Sequence, residues 1–271
     1  MEAALQRRVQ RYGWDKAAVY YENSWQQQLK PAQDKLLEMA ALQAGEKVMD
    51  VACGTGLVSF IAANLVGKTG FVHANDISDN MIKIGNELAL ERNYSNIKFE
   101  RMDAEELAVP DNEFDAVLCA LGLMYFPDPV KGLKEMYRSL KPGGRAVGAV
   151  WGQRDHCGWA SVFEIIDKRV SSEVCPMFFR LGTQDMLMRN FEAAGFRDIR
   201  FERISTTLFY NSGREACDAA FIGGPVALAY NKFSEQTKKE ADEEYLQSIE
   251  QFRKQENYEI PGEFVIAIGF K

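Results

Sequence analysis

The chain has 271 residues, of which 46% are hydrophobic and 26% charged, a balance that supports a globular core and excludes a disordered chain. Its formal net charge is −7, and no basic run offsets it, which argues against a nucleic-acid partner and against a polyanionic substrate. No stretch approaches the ~20 apolar residues that a membrane span needs, and the N-terminal residues Met1 to Arg8 lack the apolar centre of a signal peptide.

The first 45 residues read as a helical cap segment that carries Tyr12, Trp14, Tyr20, Tyr21 and Trp25. Tyr21 and Trp25 are four apart and share a helix face. From residue 46 onward the chain alternates strand and helix signals. Val48 to Val51 is a short buried strand, and Asp50-Val51-Ala52-Cys53-Gly54-Thr55-Gly56 leads from it into the helix-like run from Val58 to Leu65. A glycine-rich turn between strand and helix lets backbone N–H groups approach a ligand closely.

Phe71 to Ala74 reads as a second strand ending at Asn75-Asp76, and Ser78 caps a helix with Met81, Ile82, Leu88 and Ala89 at helical spacing. Ile97 to Phe99 is a third strand, followed by Asp103-Ala104-Glu105. Phe114 to Ala120 is a fourth, nearly all apolar after Asp115, as expected of a strand covered on both faces. Asp128-Pro129 opens a helix with Leu133, Met136, Tyr137 and Leu140 on one face, and Lys141-Pro142-Gly143-Gly144 ends it in a turn. Arg145 to Trp151 is a fifth strand. Repeated βα units predict right-handed crossovers and a three-layer α/β fold with a doubly wound, mostly parallel sheet.

Beyond Trp151 the rhythm breaks. Gly152 to Leu181 is irregular and aromatic, Thr183 caps a helix through Ala194, and a strand runs from Ile199 toward Tyr210. Ser234 to Tyr258 reads as an amphipathic helix with Ala241, Tyr245, Ile249 and Phe252 on one face. Pro261-Gly262 then introduces a last strand from Glu263 to Phe270. The five cysteines are scattered, with no CxxC pair. That pattern implies reduced thiols in a cytoplasmic setting and no metal site.

The glycine turn alone is ambiguous. A dinucleotide fingerprint has a third glycine where this chain has Ser59. Three successive strand ends, however, carry Asp50, Asp76 and Asp103. Asp76 stands where a carboxylate accepts hydrogen bonds from ribose hydroxyls, and an acid after the third strand can accept from an adenine amine. So much negative charge repels a pyrophosphate and attracts a ligand bearing a sulfonium and an amino group. The electrostatics favour S-adenosylmethionine over NAD or ATP.

The stretch from about residue 45 to 151 resembles the class I S-adenosylmethionine-dependent methyltransferases, in the group that includes the ubiquinone/menaquinone C-methyltransferases. The motifs that carry this are Val48-Met49-Asp50-Val51-Ala52-Cys53-Gly54-Thr55-Gly56, Asn75-Asp76-Ile77-Ser78, Asp103-Ala104-Glu105-Glu106-Leu107, Leu121 to Asp128 and Leu140 to Gly144. Ala52 departs from the glycine common there, and a negative φ is expected to accommodate it. The resemblance implies a seven-stranded sheet with an antiparallel last strand. It also implies insertions near 152–182 and 209–262 within a domain 46–271, forming a lid over a small-molecule methyl acceptor. It places Gly54 and Gly56 beside the methionine moiety, Asp76 at the ribose and Ile77 and Met81 beside the adenine, and it counts Asp50, Ala52, Cys53 and Thr55 among the cofactor-binding residues. Asp103, Ala104 and Glu105 fall at the adenine edge, Ala120 and Leu121 by the methyl group, and Tyr21 and Trp25 over the cofactor. The product would be S-adenosylhomocysteine.

His156 is the candidate base, because its ordinary pKa lies near neutrality, and Tyr125 is a candidate acceptor contact. His73 reads as a packed histidine. The competing functional reading is an S-adenosylmethionine-binding regulatory or partner protein without methyl transfer.

Overall fold

The computed structural model describes residues 2–170 and 177–271. The chain begins with one long helix, α1 (Ala3–Ala40), which contains Pro31 and ends where Ala41 turns left-handed. Then follow β1 (Lys47–Val51), α2 (Leu57–Val66), β2 (Phe71–Asp76), α3 (Asp79–Glu91), β3 (Ile97–Arg101), β4 (Phe114–Ala120), α4 (Pro129–Ser139) and β5 (Leu140–Trp151). The second half contains α5 (Ser161–Asp167), α6 (Met186–Ala194), β6 (Arg197–Tyr210), α7 (Gly213–Cys217), α8 (Ala227–Tyr230), α9 (Glu235–Ile249), the two-residue β7 (Arg253–Lys254) and β8 (Asn257–Phe270).

The main sheet path is β3-β2-β1-β4-β5-β8-β6, with β7 paired on β8. β1 to β5 run parallel, and β8 is antiparallel to both β5 and β6. Strand order reverses between β1 and β4. Right-handed crossovers therefore send α2 and α3 to one face and α4 to the other, opening a crevice at the carboxyl ends of β1 and β4. The central strands are apolar because they are covered on both faces: Val48, Met49, Val117 and Leu118 are fully buried. Ser78 and Asp128 cap α3 and α4 by accepting from the N–H groups of Met81 and Lys131 at 3.1 and 3.0 Å. Each cap satisfies an N–H that the first helical turn leaves without a partner.

Several boundaries differ from those read in the sequence. The helix opened by Ser234 stops at Ile249, gives one 3₁₀ turn, Glu250–Phe252, and becomes strand by Asn257. β8 thus runs through Pro261 and Gly262 instead of starting after them. Pro261 is tolerated because β5 ends at Trp151, opposite Phe264, so at Pro261 the strand is laddered on the β6 side alone. Lys141 to Gly144 is an excursion within β5: Leu140 stays opposite Phe114 while Arg145 returns opposite Ala116. Thr183 does not cap α6, which starts at Met186; its hydroxyl donates instead to the Phe179 carbonyl at 3.0 Å.

Candidate active site

A cavity opens at the crevice, where ligands of open α/β sheets bind. Its floor is made by the carboxyl ends of the parallel strands. After β1 the turn brings Ala52 and Gly54 to the wall; after β2, Asn75, Asp76 and Ile77; after β3, Met102 to Glu105; after β4, Ala120 to Gly122. Met81 on α3 adds an apolar side.

The β1 turn is held by its neighbour. Asp76 accepts the Gly54 N–H through Oδ2 and the Ser78 N–H through Oδ1, both at 2.9 Å. Burial pushes the Asp76 carboxyl upward, and these backbone bonds oppose it. Gly56 starts α2 at φ 102, and a Cβ there would lie 2.6 Å from Phe99 Cζ. Glycine at this position therefore serves conformation and core packing. Ala52 adopts φ 56, not the negative value expected. Left-handed backbone is costly for alanine, so the turn keeps a strained residue at the cavity wall.

Asp50 is buried and accepts from Ser59 Oγ at 2.5 Å. Burial raises its pKa to about 7, the Ser59 bond pulls the other way, and the Asp76 charge adds to the rise. It stands behind the wall, not on it. Cys53, Thr55 and Gly56 are likewise absent from the lining; Thr55 turns its hydroxyl to Glu22 at 2.9 Å.

The roof is α1. Sequence reasoning singled out Tyr21 and Trp25, and both line the cavity, but Arg7, Gln10, Trp14 and Leu29 line it too. The spacing 7, 10, 14, 21, 25 is an i, i+3, i+4, i+7 stripe, a signal present in the sequence but read only at its centre. Arg7 ion-pairs with Asp103 at 2.9 Å and with Glu105. Asp15 accepts from Ser78 Oγ at 2.6 Å, and Arg11 pairs with Asp79. These contacts fasten α1 across the ends of β2 and β3. Tyr21 lies over the glycine turn: a Cβ on Gly54 would come 3.4 Å from its ring.

Past Leu121 the cavity becomes aromatic. Tyr125, Trp151, Trp159, Phe178 and Pro225 close this end together with Trp25. The rings of Trp25, Trp151 and Trp159 meet edge to face at 4.8–6.1 Å between centroids. The segments around 152–170 and 209–256 supply Trp159 and Pro225, and Trp25 Nε1 donates to the Gly223 carbonyl at 3.0 Å.

His156 is not at the cavity. The 3₁₀ turn Arg154–His156 carries it to an exposed position where Nδ1 meets Glu263 Oε2 at 2.9 Å. The bond to Glu263 raises its pKa. The base role expected for it is withdrawn. His73 packs on β2 and meets Glu100 at 3.0 Å. Cys157 and Cys217 are buried, Cys175 lies outside the described residues, and among the described residues no metal-binding cluster forms. No helix is long and apolar enough to cross a membrane among the described residues.

Residues 24–181 match the model of the ubiE/COQ5 methyltransferase family. A demethylmenaquinone methyltransferase of Listeria monocytogenes serotype 4a is 39% identical over 127 residues, covering 47% of this chain and 54% of that protein. The chain thus spans about half the length of the Listeria relatives it matches. A ubiquinone/menaquinone biosynthesis C-methyltransferase UbiE of Teredinibacter turnerae is 32% identical over 194 residues, covering 71% of this chain and 76% of that protein. The solved structure of Haemonchus contortus phosphoethanolamine N-methyltransferase 2 in complex with S-adenosyl-L-methionine superposes with a TM-score of 0.62 at 19% identity, covering 95% of this chain and 57% of that one. At that identity the likeness speaks for the fold alone. The family match covers more than half of the chain and spans the strand ends that floor the cavity: the chain belongs to the ubiE/COQ5 methyltransferase family.

Proposed function

We propose that this cavity binds S-adenosylmethionine and that the chain transfers its methyl group to a small organic acceptor held at the aromatic end. The observation that carries this reading is one continuous space, running from the acidic ends of β2 and β3 past Gly54 to Trp151 and Trp159. The wall also holds groups in want of a ligand. Asn75 is fully buried, lines the cavity, and neither side-chain Oδ1 nor Nδ2 has a partner; Asp50 Oδ1 is in the same position behind it. Buried polar atoms left unpaired cost about 1–3 kcal/mol each, so a polar ligand is expected here.

Bound S-adenosylmethionine would supply an electrophilic methyl carbon on a sulfonium, open to in-line attack by an acceptor's electron pair, with the thioether leaving and keeping the C–S bonding pair. The chain's part is placement. Asp76 accepts from the ribose, Ile77 and Met81 flank the adenine, and Asp103 with Ala104 and Glu105 borders its edge. Asp50 and Asp76 favour a cation over a phosphate, and Arg7 is already engaged by Asp103 and Glu105. Ala120 and Leu121 border the passage between the two ends, Tyr21 and Trp25 cover it, and Tyr125 meets the acceptor. Alignment at near-attack distance is the main source of acceleration. The charged residues of the lining, Arg7, Asp76, Asp103 and Glu105, all belong to the nucleoside side. An acceptor that reacts without surrendering a proton to an acidic or basic side chain therefore suits the site.

Incubation with methyl-tritiated S-adenosylmethionine and a panel of small apolar acceptors tests this. Transfer of label to any of them, abolished by excess S-adenosylhomocysteine, is the expected result. Tight cofactor binding with no transfer to any acceptor would favour a regulatory role.

A further inference from the structure

At the aromatic end, among the described residues, one buried polar side-chain atom is left without a partner. Trp159 is 2% exposed, lines the cavity, and its Nε1–H has no hydrogen-bond partner among the described residues. An indole N–H can only donate, and a buried donor without an acceptor is costly. The neighbouring indole of Trp25 does not share this state, since its N–H is committed to the Gly223 carbonyl. The Trp159 ring is also fixed. It is wedged among Trp25, Trp151, Phe163, Phe178 and Phe179, with ring centroids 4.8–5.9 Å away. Its backbone is anchored through the Gly158 N–H, which donates to the Pro261 carbonyl at 2.9 Å.

We propose that the Trp159 indole N–H is the specificity-determining donor of the acceptor pocket, and that the methyl acceptor is an uncharged molecule presenting an sp² oxygen to it. This rests on the methyltransferase reading of the cavity. Charge is disfavoured on the acceptor because no Asp, Glu, Lys, Arg or His borders this end among the described residues. The nearest acids of the lining follow β2 and β3. β2 is three strands from β5 in the sheet, about 14 Å at the usual strand spacing. A carboxylate, phosphate or ammonium would be stripped of water here with no counter-charge. A carbonyl oxygen would instead satisfy the one free donor while its apolar body replaces water against Trp151 and Phe178. A hydrocarbon of the same shape would leave the N–H unpaired, and that difference is the basis of selection.

The matched pair 1-tetralone and tetralin tests the proposal, since the two differ by the carbonyl. Wild type and Trp159→Phe, both with ¹⁵N-indole tryptophan, are titrated with each compound, with and without S-adenosylhomocysteine. The variant retains an aromatic ring and deletes the N–H, and a cooperative melting transition checks that it is folded. In the wild type the ketone is expected to bind roughly five- to tenfold tighter than the hydrocarbon, the gain of about one neutral hydrogen bond. The indole resonance missing from the variant's spectrum should shift with the ketone only, and Trp159→Phe should abolish the preference. Equal affinity of the two compounds for the wild type, or an unchanged preference in the variant, would overturn the proposal. Nucleoside binding is read separately and tests the cofactor assignment, the labelled-methyl assay tests the transfer, and the ketone–hydrocarbon difference decides the role of Trp159.

Discussion

Asp76 Oδ2 accepts the Gly54 N–H at 2.9 Å, so the turn after β1 and the end of β2 form one hydrogen-bonded unit. The carboxylate both shapes the glycine turn and faces the cavity. Its second oxygen, held by Ser78 at 2.9 Å, joins the start of α3 to the same unit.

Gly56 should tolerate no side chain. Gly56→Ala sets a Cβ at φ 102 and 2.6 Å from Phe99 Cζ. Left-handed strain of about 1–2 kcal/mol and overpacking of about 1–3 kcal/mol add to a loss of roughly 2–5 kcal/mol. Denaturant unfolding reads this directly. Shrinking the neighbour with Phe99→Leu should recover the packing part and leave the strain. Recovery of full stability in the double variant would contradict the backbone account.

Cofactor affinity should depend on pH through Asp50. Burial raises its carboxyl to about 7, so the group titrates around neutrality, and a cationic ligand favours its ionised form. Affinity for S-adenosylmethionine is expected to rise as pH increases through about 7, with proton release seen by calorimetry in buffers of different ionisation enthalpy. The stability sign runs the other way. Between the unfolded carboxyl range and about 7 the folded state binds more protons than the unfolded chain, so this group's contribution falls with rising pH over that window. Asp50→Asn should remove both dependences.

His156→Ala should leave cofactor affinity and turnover unchanged, because the exposed ring meets Glu263 and does not line the cavity. The folded-state pKa is raised above the ordinary histidine value by that bond. The pair's stabilisation is therefore fully present below the unfolded pKa and disappears as pH climbs through the folded one. An NMR titration of the imidazole checks the direction, and a steep loss of turnover in the variant would restore a chemical role.

Much of the floor was legible in the sequence. Parallel strands covered on both faces are uninterrupted apolar runs, so β1 and β4 announced themselves, and the acids that end β1, β2 and β3 followed. The cavity end of α1 was harder. Its stripe opens with two polar members, Arg7 and Gln10, before Trp14, Tyr21 and Trp25, so only the aromatic part reads as a face. His156 was misplaced because a loop residue's side of the chain is set by tertiary contact, here Glu263 from a strand more than a hundred residues later. α9 was extended too far because Phe252 continues the spacing of Tyr245 and Ile249 into a 3₁₀ turn. Pro261-Gly262 read as a break because the partner strand that tolerates them, β6, cannot be seen locally. The positive φ of Ala52 left no local signal at all.

The acidic crevice is expected to select a sulfur nucleoside bearing an ammonium over a dinucleotide bearing a pyrophosphate, and calorimetry with S-adenosylmethionine, S-adenosylhomocysteine and NAD tests this most directly. The wild type is expected to bind both sulfur nucleosides and not NAD. Asp76→Ala, which removes a buried charge-assisted acceptor, should weaken them by about 1.5–3 kcal/mol. NAD binding without S-adenosylmethionine binding, or full affinity in Asp76→Ala, would contradict the account.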